Sequence, residues 1–170
     1  MIMAKFILRS WLLLALTLTY SGTALASTVF TSISGQRLST NKIEAIDVSN
    51  IKEVTVIFFW ASWCDFCKAF SRDLSRVAAA YPELKLIGMS TDAKIEDALK
   101  GAAYYRFIKR HYWVPKPAGS GFFPSIIPYY VIVSKDGKID SVYEGNKPDK
   151  VEYFQKRVRY LIRGDVNEEQ

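Results

Sequence analysis

The stretch Val54-Thr55-Val56-Ile57-Phe58-Phe59-Trp60-Ala61-Ser62-Trp63-Cys64-Asp65-Phe66-Cys67-Lys68 decides how this 170-residue chain is read. Its first seven residues are an unbroken β-branched and aromatic run, the pattern of a central strand buried on both faces. After Trp63 the apolar period changes from continuous to helical. Cys67, Phe70, Leu74, Val77, Ala78 and Tyr81 recur every three or four residues, and Pro82 stops the pattern. The chain's two cysteines, Cys64 and Cys67, therefore fall where a buried strand gives way to a helix.

That placement has chemical consequences. A helix N-terminus carries about half a positive charge and unpaired N–H groups, and both stabilise a thiolate. Cys64 at that end is expected to be exposed, with a depressed pKa, and to act as nucleophile. Cys67, one turn in, is expected to be more buried and to resolve a mixed disulfide. A structural bridge between cysteines three positions apart closes too small a loop to constrain the unfolded chain much. Reversible chemistry explains the spacing better.

Outward from this segment, Leu84–Ser90 reads as a second buried strand and residues 93–112 as a helix with Ile95, Leu99, Ala102 or Ala103, and Phe107 inward. Pro115–Gly121 has loop composition. Tyr129–Val133 is a third strand, turned through Lys135-Asp136-Gly137-Lys138 into an antiparallel partner at Ile139–Tyr143. Pro148 suits the first turn of a last helix, with Val151, Phe154, Val158, Leu161 and Ile162 on its apolar face and Gly164 at its end. Upstream, residues 27–50 form a lead-in: a strand near Val29–Ile33, a turn at Ser34-Gly35 and a return through Arg37-Leu38. The order strand, helix, strand, helix, strand, strand, helix predicts an α/β fold, a central mixed sheet with helices on both faces. A single domain is expected over 27–170, its core at 51–164 and a tail at 165–170.

Residues 1–26 have the pattern of a cleaved secretory signal: Lys5 and Arg9, the apolar run Trp11–Leu18, and Ala24-Leu25-Ala26 before Ser27. An uncleaved anchor is the alternative, but the run is shorter than the roughly 20 residues a spanning helix needs. Of 23 basic residues, Lys5 and Arg9 fall in this segment, leaving 21 against 17 acidic, a surplus of +4. The densest basic clusters, Lys109-Arg110 and Lys156-Arg157 with Arg159 and Arg163, fall in expected helices and read as solvated faces, not a nucleic-acid site. The expected location is the periplasm or another extracytoplasmic space. The 49% hydrophobic content, with ten Tyr, ten Phe and four Trp, supplies a core without disulfide staples.

With these residues set out, the run Phe59-Trp60-Ala61-x-Trp63-Cys64-x-x-Cys67-Lys68 resembles the active-site segment of the thioredoxin superfamily. Val133–Ile139 and the long stretch between Ser90 and Pro128 resemble its TlpA/ResA-like extracytoplasmic branch. The resemblance covers residues 50–163. It implies a thioredoxin-like fold and a thiol-disulfide oxidoreductase acting on protein or peptide thiols and disulfides, with no cofactor beyond the Cys64–Cys67 disulfide. It implies a cis peptide before Pro128, where Ile127 and Pro128 would meet substrate beside Cys64. It also marks Trp63, Asp65, Phe66 and Lys68 as surroundings that tune the pair. Two departures stand out. The family's buried acid, two residues before the strand Trp, is Phe58 here, and its lysine partner falls near Gly88. The dipeptide Asp65-Phe66 also lacks the usual proline. An ionised Asp65 would oppose a thiolate at Cys64, which favours a disulfide reductase over an oxidase or isomerase. The expected partners are a membrane or periplasmic redox protein that recharges the pair; the chain is expected to be monomeric.

Other readings are weaker. Two Cys and a single His111 fall short of a structural zinc site, although Cu(I) binding by the two thiolates is a separate possibility of a different class. A binding-only module of this fold commonly lacks one cysteine. His111 reads as an ordinary helix-end residue. Tyr104, Tyr105, Phe107, Tyr112, Trp113, Phe122 and Phe123 read as packing, with an aromatic partner groove as the alternative.

Overall fold

The computed structural model describes residues 31–114, 123–145 and 148–164. The expected signal at 1–26, the loop at 115–121, Phe122 and the tail at 165–170 lie outside the described residues. Among those described, no helix is long and apolar enough to cross a membrane.

In chain order the elements are β1 (Ser32–Arg37), β2 (Ile43–Asp47), β3 (Thr55–Trp60), α1 (Asp65–Ala80), β4 (Lys85–Ser90), α2 (Ile95–Gly101), β5 (Arg110–Trp113), β6 (Tyr129–Val133), β7 (Ile139–Glu144) and α3 (Pro148–Arg163). One seven-stranded sheet runs β2-β1-β5-β4-β3-β6-β7. β3 lies parallel to β4, and β4 to β5, while β6 runs antiparallel to β3 and the two hairpins close the edges. Every residue of β3 is buried, as its unbroken apolar run predicts.

Alternation along the central strands divides the core. Val56, Phe58 and Trp60 face Phe70, Leu74 and Val77 of α1 and Phe154 and Val158 of α3. Ile57, Phe59, Ile87, Met89 and Val131 face the other way, with Ile33, Ile46 and Val48 from the N-terminal hairpin. Phe70 is the hub of the first layer. Its ring stacks on Tyr130 with centroids 4.1 Å apart and meets Phe58 at 5.5 Å and Phe154 at 5.6 Å.

Three sequence expectations are corrected. Ser34-Gly35 is not a turn but the middle of β1. Gly35 lets β1 pass β5 closely, since a Cβ there would lie 3.0 Å from the Tyr112 Cβ. The chain instead turns after Arg37, where Asn41 takes a φ of 59° and its Oδ1 accepts from Gln36 Nε2 at 2.7 Å. Second, the helix expected over 93–112 stops at Gly101, passes through a 3-10 turn at Ala102–Tyr105 and gives way to β5. Its inward residues are Ala98 and Gly101, whereas Leu99 is half exposed. Pairing of Arg110–Trp113 between β4 and β1 overrides the local helical period. Third, His111 and Arg110 are therefore strand residues and not helix residues.

α3 is fastened to β7 by Asp140, whose carboxylate accepts from Arg157 Nε at 2.7 Å and from Nη2. The Arg157 guanidinium holds the Asp140 carboxyl below its usual value. A depressed folded pKa contributes stability at pH above the unfolded value and loses it as pH falls through the folded one. Asp140→Asn is expected to cost about 1–2 kcal/mol at pH 7, discounted because Arg157 is one-third exposed. In urea unfolding, the gap from the unsubstituted protein should close on acidification below the ordinary carboxylate range.

Candidate active site

β3 delivers its chain to the C-terminal edge of the sheet, and α1 starts five residues later. Between them Cys64 N–H donates to the Ala61 carbonyl at 3.1 Å, closing a tight turn over Ser62 and Trp63. Cys64 is the N-cap of α1, and its Sγ accepts from the Cys67 backbone N–H at 3.1 Å. The two cysteines are joined as a disulfide. An N–H of the first helical turn thus points at the Cys64 sulfur, the arrangement that stabilises a thiolate there once the bond is reduced.

Cys64 is not exposed as its end position suggested: it is 4% accessible and Cys67 0%. The pair lies under a rim of aromatic residues, with Trp63 68% and Phe66 65% exposed. Asp65 points into solvent and bonds Lys68 Nζ at 2.9 Å, while the same amine lies 5.1 Å from the centre of the Tyr104 ring. Asp65 is thus partnered and water-screened, so it opposes a Cys64 thiolate less than the sequence suggested. The bond to Asp65 raises the Lys68 pKa above its ordinary value.

The Ile127–Pro128 peptide is cis. Beside it a cleft of about 380 Å³ is lined by Trp63, Thr91, Phe123, Pro124, Ile126 and Ile127. The structure therefore brings Trp63 and Ile127 to one cleft. A larger cleft of about 800 Å³, between Lys52, Glu53, Lys85 and Lys109, lies around the N-terminal ends of β3 and β4 and contains none of the residues of the cysteine turn. The smaller cleft is the one that shares a residue, Trp63, with the cysteine turn.

Below the cysteines, Phe58, Gly88 and His111 form one row across β3, β4 and β5. Phe58 is fully buried, its ring 5.7 Å from that of Tyr105. Gly88 makes room for the imidazole: a Cβ at that position would lie 2.4 Å from His111 Nδ1 and 3.0 Å from Trp60 Nε1. His111 Nε2 lies 3.2 Å from the Tyr105 carbonyl, so the neutral ring carries its proton on Nε2 and donates it there. Burial pushes the imidazole below its ordinary value. His111 is therefore an inward residue in the row where the resemblance placed an acid and a lysine.

One carboxylate near the turn had escaped the sequence reading. Asp92, just beyond β4, is 1% exposed. It accepts from Ser62 N–H at 3.0 and 3.1 Å, from Ser62 Oγ at 2.7 Å and from Ser90 Oγ at 2.8 Å. A Ser-x-Asp at the end of a buried strand, beside the strand that leads to the cysteines, was the available signal. Among the described residues no cluster of His, Cys, Asp and Glu could hold a metal ion.

Comparison with known proteins agrees with this geometry. A family model described as Thioredoxin-like matches residues 52–139. The soluble secreted antigen MPT53 of Mycobacterium tuberculosis is 45% identical over 40 residues, which is 24% of this chain and 23% of that protein. The match thus spans about a quarter of this curated relative's length. A secreted Mycobacterium tuberculosis disulfide oxidoreductase homologous to E. coli DsbE is similar over 75% of this chain and 95% of its own, with 25% identity and a TM-score of 0.58. StoA from Bacillus subtilis shares the fold at 16% identity, over 77% of this chain and 98% of its own, with a TM-score of 0.54.

Proposed function

The chain belongs to the thioredoxin-like family, and on that premise we propose that this thiol-disulfide oxidoreductase works outside the cytoplasm, reducing disulfides in protein substrates. The observation that carries the reading is the Cys64–Cys67 disulfide at the start of α1, with Cys64 Sγ facing the Cys67 N–H. The secreted nature of the two mycobacterial relatives and the signal-like residues 1–26 support the location.

In the reduced enzyme, the Cys64 thiolate attacks one sulfur of a substrate disulfide. That S–S bond breaks, and the departing sulfur leaves as a thiolate and takes a proton. The Cys67 thiolate then attacks Cys64 Sγ, forming the intramolecular disulfide and releasing the second substrate sulfur. The substrate gains two electrons and two protons. A thiol-bearing redox partner at the membrane or in the same compartment returns them to the pair. Trp63, Phe66 and the cleft at Phe123–Ile127 present apolar surface for the chain that flanks the substrate cysteine, and the Ile127 backbone, before the cis Pro128, offers it strand-like hydrogen bonds. No group other than the cysteine pair is proposed to carry electrons.

Direction is tested by the midpoint potential in dithiothreitol or glutathione buffers. A value near about −270 mV fits a reductase, and one near about −120 mV overturns that direction.

A further inference from the structure

We propose that the buried Asp92 carboxylate is the positioning residue of the cysteine turn, and that its negative charge holds the Cys64–Cys67 pair towards its disulfide, reducing side. The inference rests on the disulfide-exchange reading above and deepens it.

Asp92 is held on all sides by neutral donors. Ser62 supplies its N–H and hydroxyl, and Ser90 its hydroxyl. The Asp92 backbone is fixed as well, its N–H donating to Ser90 Oγ at 3.2 Å and its carbonyl accepting from Trp113 Nε1 at 2.8 Å. Next to it Thr91 N–H donates to the Trp60 carbonyl at 2.8 Å. The ends of β3 and β4 are thereby zipped together at the residue that begins the turn. Among the described residues no Lys or Arg pairs with Asp92; Lys68, in the first turn of α1, is engaged by Asp65.

Every hydrogen bond the buried Asp92 side chain makes is one it accepts, the pattern of a carboxylate, and the donors are neutral groups that hold the negative charge without cancelling it. Ser62 stands two residues from Cys64, at most about 7 Å between Cα atoms. The field reaches the core around the cysteines: after burial, the Asp92 charge is the next cause that pushes the Tyr105 hydroxyl above its ordinary value, and Tyr105 belongs to the same buried cluster as Cys64 and Cys67. A negative charge there disfavours the thiolate, hence the reduced pair, and so lowers the midpoint potential. Asp65 acts on the same Tyr105 hydroxyl in the same direction but ranks after Asp92, so the buried carboxylate is the larger of the two biases.

The test compares the full protein with Asp92→Asn and Ser62→Ala. Asparagine keeps an oxygen for Ser62 N–H and removes the charge, whereas Ser62→Ala keeps the charge and removes one donor. Charges on the order of 10 Å apart at an effective dielectric near 20 shift an equilibrium roughly tenfold. Asp92→Asn should therefore ease reduction about tenfold in glutathione buffers, which raises the midpoint by about 30 mV for two electrons. The thiolate absorbance of reduced Cys64 should titrate at lower pH. Ser62→Ala should move neither quantity in that direction. A merely structural Asp92 would lower thermal stability in both variants and leave the midpoint and the thiolate titration where they were, and that result overturns the proposal. If Asp92→Asn fails to fold, Asp92→Ser, which also removes the charge, is read in its place: reduction eased about tenfold supports the proposal, and an unmoved midpoint overturns it. A wild type that never equilibrates with dithiothreitol sinks the exchange reading and this proposal together. A wild type that titrates normally beside an unmoved Asp92→Asn sinks this proposal alone.

Discussion

Cys64→Ser is expected to reduce insulin no faster than dithiothreitol alone, while Cys67→Ser accumulates a mixed disulfide that added thiol releases. The two outcomes differ because the cysteines hold different positions. Cys64 caps α1 and carries the residual accessibility of the pair, next to exposed Trp63 and Phe66. Cys67 is inaccessible, and its N–H is the donor that faces the other sulfur. With Cys64 gone, no thiol reaches a substrate disulfide. With Cys67 gone, the first exchange still runs and the second cannot. Non-reducing electrophoresis and intact mass of each variant, incubated with a disulfide-containing protein, distinguish the species. An adduct on Cys64→Ser and none on Cys67→Ser would reverse the two roles.

The parts of this molecule legible in its sequence are those whose signal is local. The buried run of β3, the helical period of α1, the Asp136-Gly137 turn between β6 and β7, and the Pro148 and Gly164 that bound α3 each carry their own pattern, and each element forms within a residue or two of its expected place. What escaped depends on long-range pairing. Arg110–Trp113 has a helical context in sequence and becomes a strand because β4 and β1 both offer it hydrogen bonds. Leu99 has the right period to be core and is half exposed because α2 turns Ala98 and Gly101 inward instead. The site divides the same way. The cysteines and their flanking residues announce themselves by spacing, whereas Asp92 acts on Ser62 from thirty residues away. Nothing in the isolated segment Ser90-Thr91-Asp92 says which turn it will face.

The row Phe58–Gly88–His111 yields the second large effect. Introducing the family's acid by Phe58→Asp is expected to cost about 5 kcal/mol or more, comparable with the whole stability of a domain this size. Removing the ring forfeits its contacts with Phe70 and Tyr105, a loss of about 3–5 kcal/mol in a packed core. The new carboxyl also lands where no cation waits among the described residues, because its cross-strand neighbours are Gly88 and Tyr130 and His111, in the same row, is held neutral by burial. Lysine cannot be added at position 88 to rescue it, since even a Cβ there meets His111 Nδ1 at 2.4 Å. Phe58, Gly88 and His111 form one self-consistent packing, in which the imidazole occupies the space left by the missing Cβ of Gly88. A single exchange at position 58 or 88 breaks it. Burial raises the pKa of the introduced carboxyl, so its penalty is smallest below the unfolded aspartate value near 3.9 and grows as pH rises above it. Urea midpoints of Phe58→Asp should therefore fall furthest behind the unsubstituted protein at pH 7 and recover part of the gap near pH 4. Equal midpoints at pH 7 would mean that the row tolerates a charge, and the packing account of Phe58 would be wrong.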